Sequence, residues 1–303
     1  MESGRFADNR WHDADFCRIE HRVNTCYHDS IATGVDGVTV DTAQIVSAGE
    51  FLSQARLGGG PTQAPPADLS PETEAEGYAI QDALHDILER AGHGQPIGHK
   101  IGCTTPVMQA FLKIDHPCSG EVFDSTVFQE SVELPLSEFH RIGVECEIAA
   151  RLGTDLPDNL SSYTRDSVGD AVSALMGAIE LVDDRYEDYA ALSAPTLIGD
   201  DFFNAGVVLG DEQTAWRELD LAAIRGTLMI DGVEHASGFG SDILGDPLEA
   251  LAWLANHRVQ MRKPLRAGTF VMLGSVVQTV FFDAPARVSV ELTGLSQAEV
   301  RFV

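Results

Sequence analysis

Residues 143–152 read GVECEIAARL. The run is short and rich in Val, Ile, Ala and Leu, which marks a strand with buried neighbours rather than an amphipathic helix. Side chains alternate across a strand, so Glu145 and Glu147 leave from one face while Val144, Cys146 and Ile148 leave from the other. Two like charges that close, on a face leaving water, repel and each costs several kcal/mol of desolvation unless a cation or a proton compensates. Either that face binds something positive or it is wet.

The same strand logic extends along the chain. Short apolar runs at 97–103, 121–128, 131–134, 144–152, 178–183, 203–209, 226–231, 269–274, 279–282 and 287–293 read as strands separated by Gly, Asp and Pro turns. Such a series predicts an α+β chain with a mixed sheet closed into a barrel or sandwich. Flanking helices are expected at three places. One begins at Ser70-Pro71, carries Ala79, Ala83, Leu84, Ile87, Leu88 and Ala91 on its apolar stripe, and ends at Gly92. A second covers about 166–176, with Val168, Val172 and Leu175 on one face, and stops at Gly177. The third follows Asp246-Pro247, with Leu248, Leu251, Ala252 and Ala255 buried.

The chain has 303 residues and 44% hydrophobic composition, ample for a sizeable core. Lys and Arg number 20 against 47 Asp and Glu, a net charge of −27, which argues against nucleic acid or an anionic membrane surface as main partner. An anionic substrate then requires a local positive charge. No apolar stretch approaches the ~18 residues of a membrane span, and MESGRFADNRWHDADF lacks the basic-then-apolar signal pattern, so a cytoplasmic location is expected. Five cysteines without regular spacing suggest reduced thiols rather than a disulfide framework.

Three segments are expected: an N-terminal extension at 1–41, an N-terminal helical segment at 42–96, and a β-rich catalytic domain at 97–303. The Cys17, His21, Cys26 and His28 spacing in the extension matches no usual zinc module. GGGPTQAPPAD at 58–68 reads as a linker.

A third carboxylate, Glu180, lies 33 residues beyond Glu147 in MGAIELVDDRY. Three carboxylates from neighbouring strands would make a hard-oxygen site suited to Mg²⁺ or Mn²⁺; spacing alone leaves open a solvated sheet face instead. Lys100, in PIGHKIGCT, sits in a Gly-flanked apolar segment where burial would desolvate the ammonium and lower its pKa.

Six blocks in order, GHKIGCTTPVMQAFLKIDHPCSGEVF, IGVECEIAARLGTDLP, GAIELVDDRY, DDFFNAGVVLG, SGFGSDILGDPLEALAWLAN and VMLGSVVQTV, resemble the 2-keto-4-pentenoate hydratase and 4-oxalocrotonate decarboxylase family of the fumarylacetoacetate hydrolase superfamily. The resemblance spans roughly residues 42–303. It implies a mixed β-sheet roll or distorted barrel with flanking helices. It also implies that Glu145, Glu147 and Glu180 hold Mg²⁺ or Mn²⁺, that Lys100 is catalytic and lies in the substrate pocket, and that Gly274 and Ser275 form a turn near the substrate. Asp201 falls in a matching block, but Phe202 and Phe203 replace the usual small polar neighbours. Gly245-Asp246-Pro247-Leu248 departs from the family's Gly-His-Pro-Leu.

The implied activity is hydration of a 2-hydroxy-2,4-dienoate or its 2-oxo-4-enoate tautomer to a 4-hydroxy-2-oxo acid. Decarboxylation of a 2-oxo-3-enedioate is the alternative, and a catalytically silent partner subunit is the alternative of another class. The resemblance further implies a homo-oligomer that associates with a related hydratase, decarboxylase or pathway enzyme.

Overall fold

The computed structural model describes residues 42–58, 62–158 and 162–303. The extension at 1–41, with its Cys/His spacing, lies outside them. The chain runs through α1 (Thr42–Gly58), α2 (Glu74–Leu88), β1 (Pro96–Gly102), α3 (Pro106–Leu112), β2 (Cys118–Phe123), β3 (Val127–Gln129), β4 (Ser131–Leu134) and β5 (Ile142–Leu152). It continues through α4 (Arg165–Ala171), β6 (Val172–Asp183), α5 (Ala194–Gly199), β7 (Asn204–Leu209), β8 (Arg225–Ile230) and β9 (Val233–Phe239). Next come α6 (Pro247–Gln260), β10 (Phe270–Ser275), β11 (Val280–Phe281), β12 (Ala286–Leu292) and β13 (Ala298–Phe302).

Two mixed sheets result, with no closed barrel among the described residues. The larger is ordered β2-β1-β10-β5-β6-β7-β3, with β11 pairing onto β5; the smaller is β4-β13-β12-β8-β9. The run at 121–128, read as one strand, is two: β2 pairs antiparallel with β1, whereas β3 pairs parallel with β7 at the opposite edge. One turn, Asp124–Thr126, joins them. The edges must therefore lie within a turn of each other, so the large sheet is rolled, although hydrogen bonds do not close it.

Alternation along β5 sorts its two faces. Val144, Cys146 and Ile148 enter the main core with Val288, Val290 and Val300 of the smaller sheet and Leu251 of α6. Ala149 faces the other way, into a small cluster with Met176, Ala178, Val207 and Met272. Glu145 and Glu147 share that second face. Asp246 caps α6 as expected, its Oδ1 accepting from the Leu248 N–H at 2.9 Å, and Leu248, Leu251, Ala252 and Ala255 are buried. Cys103, Cys118 and Cys146 are buried free thiols.

Several expected elements differ. The helix expected at 166–176 stops at Ala171, and β6 begins at Val172. The spacing of Val168, Val172 and Leu175 mimics a helical stripe, but VSALMGAIELVD is a strand buried on both faces, where periodicity cannot separate helix from strand. Gly177 consequently ends nothing: it lies inside β6, where an added Cβ would stand 2.1 Å from the Ser296 carbonyl oxygen. Likewise α2 starts three residues later than its Ser-Pro signal. Thr73 caps it and Glu76 completes a capping box, which satisfies two of the otherwise orphaned donors and outcompetes Ser70. Strands β9 and β13 and helices α1, α3 and α5 were not anticipated individually. The 58–68 run is partly docked, since the Thr62 N–H donates to the Arg185 carbonyl at 2.7 Å.

A buried ionic network ties these elements over the second face of the large sheet. Arg56 of α1 reaches Asp200 at 3.2 Å and Asp201 at 2.9 Å, and Arg185 reaches Asp200 at 2.9 Å. His85 of α2 bridges Asp201 and Glu121 at 2.9 and 3.4 Å, and Arg258 of α6 meets Glu121 at 2.7 Å. Burial alone would lower the His85 pKa, but Asp201 and Glu121 outweigh it and push it up to about 10. The network pins Asp201, Phe202 and Phe203 with φ of 51, 49 and 65°, a left-handed run costing about 1–2 kcal/mol per non-glycine residue.

The raised His85 pKa fixes the sign of a pH effect. Its stabilisation is complete below the unfolded value near 6.5 and is lost as pH rises towards about 10. Over that window stability should fall by about 1.4 kcal/mol per pH unit from this group. Chemical denaturation from pH 6 to 10 checks it: the slope should flatten in His85→Gln, and an unchanged slope would remove His85 from the network's energetics.

Candidate metal centre

The second face of β5 and β6 brings three acids together. Glu145 and Glu180 are direct cross-strand partners, and Glu147 lies two residues along. One carboxylate oxygen from each falls within 4.8 Å of the others. The three thus converge as expected for a shared coordination point. Glu147 and Glu180 are almost wholly buried.

Each acid is also oriented. The Gly274 N–H donates to Glu147 Oε2 at 3.1 Å, and the Thr279 hydroxyl donates to Glu145 Oε1. Glu180 Oε1 accepts from Asn204 Nδ2 at 3.0 Å and meets Lys100 Nζ at 3.2 Å. Glu180 Oε2 is buried with no hydrogen-bond partner. Burial first, then the neighbouring carboxylates, raises the pKa of Glu145, and raises that of Glu147 well above its ordinary value.

Lys100 projects from β1, opposite Met272 of β10, onto the same face. Its pKa departs from expectation. Burial works to lower it, as the sequence suggests, but Glu180, Glu145 and Glu147 outweigh burial and raise it, so the ammonium form is held. With all three carboxylates ionised, one ammonium leaves two negative charges, which one divalent cation would offset. With three hard oxygen donors and an unsatisfied Glu180 oxygen, the residues fit Mg²⁺ or Mn²⁺.

The turn after β10 has two roles in this geometry. Gly274 has φ 126°, and a Cβ there would lie 2.6 Å from Thr104 Oγ1, so only glycine presents its N–H to Glu147 without strain. Ser275 Oγ turns back to the main chain, donating to the Val277 carbonyl at 2.8 Å or the Cys146 carbonyl at 3.2 Å. Asp201 is not brought to the acids; it serves the Arg56 and His85 network. Phe202 approaches instead, its ring centroid 5.6 Å from Lys100 Nζ. Thr279 and Asn204 escaped the sequence reading. Both lie in quoted blocks, VMLGSVVQTV and DDFFNAGVVLG, but a hydroxyl or amide has no spacing rule linking it to acids 134 or 24 residues away.

Fold and acid cluster together define a class, and the comparisons agree. The family model for the fumarylacetoacetate (FAA) hydrolase C-terminal domain matches residues 122–303, and the chain belongs to that family. Within it, the chain is 35% identical over 243 residues to a 2-keto-4-pentenoate hydratase of Paraburkholderia phymatum, covering 80% of this chain and 91% of the relative. A 2-hydroxyhexa-2,4-dienoate hydratase of Comamonas testosteroni is 32% identical over 86% of this chain and 98% of its own. Among solved structures, 4-oxalocrotonate decarboxylase from Pseudomonas putida G7, complexed with magnesium and adipate, superposes with a TM-score of 0.81. That match covers 88% of this chain and 99% of the other at 22% identity, and shows the shared fold.

Because burial and mutual repulsion disfavour the ionised acids, a divalent cation that offsets their charge should stabilise the protein. At 100 times Kd the gain is about 2.7 kcal/mol, read as a higher unfolding temperature with Mn²⁺ or Mg²⁺. Glu147→Gln should lose that shift while its metal-free form melts no lower than the metal-free parent. A parent protein indifferent to either ion would remove the metal site.

Proposed function

We propose that the chain is a metal-dependent hydro-lyase that adds water to a 2-hydroxy-2,4-dienoate, or its 2-oxo-4-enoate tautomer, to give a 4-hydroxy-2-oxo acid. One observation carries this reading: three convergent carboxylates, Glu147 and Glu180 of them buried, beside one buried lysine, in a chain whose relatives over most of its length are hydratases of such acids.

Glu145, Glu147 and Glu180 would hold Mg²⁺ or Mn²⁺. When bound, such an ion supplies Lewis-acid polarisation of a substrate oxygen and stabilises enolate character. The chain's own groups do the rest. Lys100 is held as an ammonium, so it offers an acidic protein's substrate site a fixed positive charge and a proton at Nζ. Proton delivery to C5 of the dienol gives the conjugated ketone, and addition of water across C3–C4 places the hydroxyl on C4. The Gly274 N–H and Thr279 hydroxyl fix two of the acids in orientation, limiting reorganisation during turnover. Gly274 and Ser275 belong to the same proposal as the turn beside the substrate.

A homo-oligomeric state, and association with a related hydratase, decarboxylase or pathway enzyme, form part of this reading. Light scattering and co-purification test them. Among the described residues no helix is long and apolar enough to cross a membrane.

Incubation with 2-hydroxypenta-2,4-dienoate and Mn²⁺ should give 4-hydroxy-2-oxopentanoate. With 4-oxalocrotonate, CO₂ release faster than hydration of the dienoate would replace hydration by decarboxylation. No turnover of either, with no metal uptake, would favour a silent partner subunit. Glu147→Gln should abolish both turnover and metal uptake with the fold intact. Lys100→Met should lower kcat by roughly 10²-fold or more while metal affinity changes far less; an unchanged rate would remove Lys100 from catalysis.

A further inference from the structure

We propose that Cys103 and Cys118 form a redox pair in the wall of the acid site: a hydroperoxide converts them to a disulfide that weakens metal binding, and reduction restores it. This goes beyond the proposed activity and rests only on the reading of the acids as a metal site.

The ladder between β1 and β2 brings the two residues together. Gly102 and Cys118 are direct partners, as are Lys100 and Gly120, so Cys118 leaves the sheet on the face that carries Lys100. Gly102 sets no side chain beside it; the Cβ it lacks would point towards Lys100 Nζ, 3.4 Å away. The next residue, Cys103, has φ 59°, a conformation that L side chains rarely adopt, and Gln109 Nε2 fastens it by donating to its carbonyl at 3.0 Å. That turn breaks the strand's alternation and returns the Cys103 thiol to the Cys118 side, where the two thiols are hydrogen-bonded. One step along a ladder from a direct partner keeps Cα atoms about 5.5–6.5 Å apart, inside the roughly 4.4–6.8 Å that a disulfide needs.

The pair is unequal. Cys103 keeps 8% of its surface exposed and Cys118 none. The hydrogen bond from Cys118, and Lys100 after it, hold the Cys103 thiol below its ordinary pKa against burial and Glu145, while the same bond and burial push Cys118 up. Cys103 is therefore the sulfur that meets the oxidant. Its thiolate attacks one peroxide oxygen and breaks the O–O bond, giving a sulfenic acid; the departing hydroxide takes up the thiol's proton as water. The Cys118 sulfur then displaces the sulfenic hydroxyl to form S–S, and that hydroxyl leaves with the Cys118 proton as a second water. Two thiols give up two electrons and the peroxide accepts them.

The surroundings let the pair close and carry the effect to the acids. Helix α3 begins at Pro106 and buries none of its residues, so the segment after Cys103 shifts at little cost in packing. Thr104, the next residue, packs onto the turn after β10: a Cβ on Gly274 would stand 2.6 Å from Thr104 Oγ1. The Gly274 N–H in turn orients Glu147 at 3.1 Å. Drawing Cys103 towards β2 moves Thr104 and loosens that support for one of the three acids.

The reduced full-length protein should be treated with hydrogen peroxide, digested without reductant for peptide mapping, and titrated calorimetrically with Mn²⁺. The expected result is a linked Cys103–Cys118 peptide, a mass lower by two hydrogens, and a Kd for Mn²⁺ raised roughly 10-fold or more. A phosphine reductant, removed before metal is added, should reverse all three. Cys118→Ser should stop at a Cys103 sulfenic acid that dimedone labels, whereas Cys103→Ser should leave Cys118 unoxidised and the Mn²⁺ affinity indifferent to peroxide. If either variant fails to fold, the parent's peptide map and titration decide alone. Both thiols remaining free, either one linking instead to Cys17, Cys26 or Cys146, or a Cys103–Cys118 disulfide that leaves the Mn²⁺ affinity unchanged would overturn the proposal. A parent that shows the switch yet hydrates no dienoate would sink the hydratase reading and leave this one standing.

Discussion

The constraint from which the rest follows is the convergence of three carboxylates, two of them almost wholly buried, and one buried ammonium on a single face of a sheet. Glu145 faces Glu180 across β5 and β6, Glu147 lies beside them, and Lys100 reaches Glu180 at 3.2 Å. Ionised acids in that position repel one another in a medium that screens poorly. Their burial raises the pKa of Glu145 and Glu147, while the same acids hold Lys100 charged against its own burial. An apolar core would be the cheaper arrangement, so packing alone does not account for this face.

The fold supplies the geometry that such a cluster demands. Rolling the large sheet gives β5 and β6 a sheltered second face, while their first face seals against the smaller sheet and α6. Orientation comes from positions whose chemistry is main-chain or neutral: the Gly274 N–H, the Thr279 hydroxyl and the Asn204 amide. Across the site, a second ionic system pairs Arg56, Arg185, His85 and Arg258 with Asp200, Asp201 and Glu121, and the left-handed turn it holds sets the Phe202 ring next to Lys100. The acid cluster thus holds fewer cations than carboxylates, whereas in the clamp every carboxylate meets at least one cation.

Much of this was legible along the chain. The Glu-x-Glu alternation in GVECEIAARL assigned both acids to one face, and the Asp-Pro start of α6 was read correctly because capping is a local interaction. Errors arose where local signals were ambiguous. VSALMGAIELVD is apolar in every register, so a helical stripe could be drawn through what is a strand. The single run at 121–128 hid a turn that carries the chain from one sheet edge to the other. For Lys100 the direction of the pKa shift was misread because burial is visible in a sequence and the approach of three distant carboxylates is not.

Alone, then, the sequence determined which side chains share a face, where strong caps start a helix, and which residue types were available for hard-cation chemistry, since these depend on the two- and 3.6-residue periods of the backbone and on short-range hydrogen bonds. Tertiary structure decided that Glu180 meets Glu145, that Thr279 and Asn204 orient them, and that Asp201 joins the clamp while the Phe202 ring lies beside Lys100. Those outcomes depend on sheet register and on electrostatic fields between residues as far as 145 positions apart, as for Arg56 and Asp201. Fields of that kind act through space, and no local rule of the chain encodes the distance over which they act.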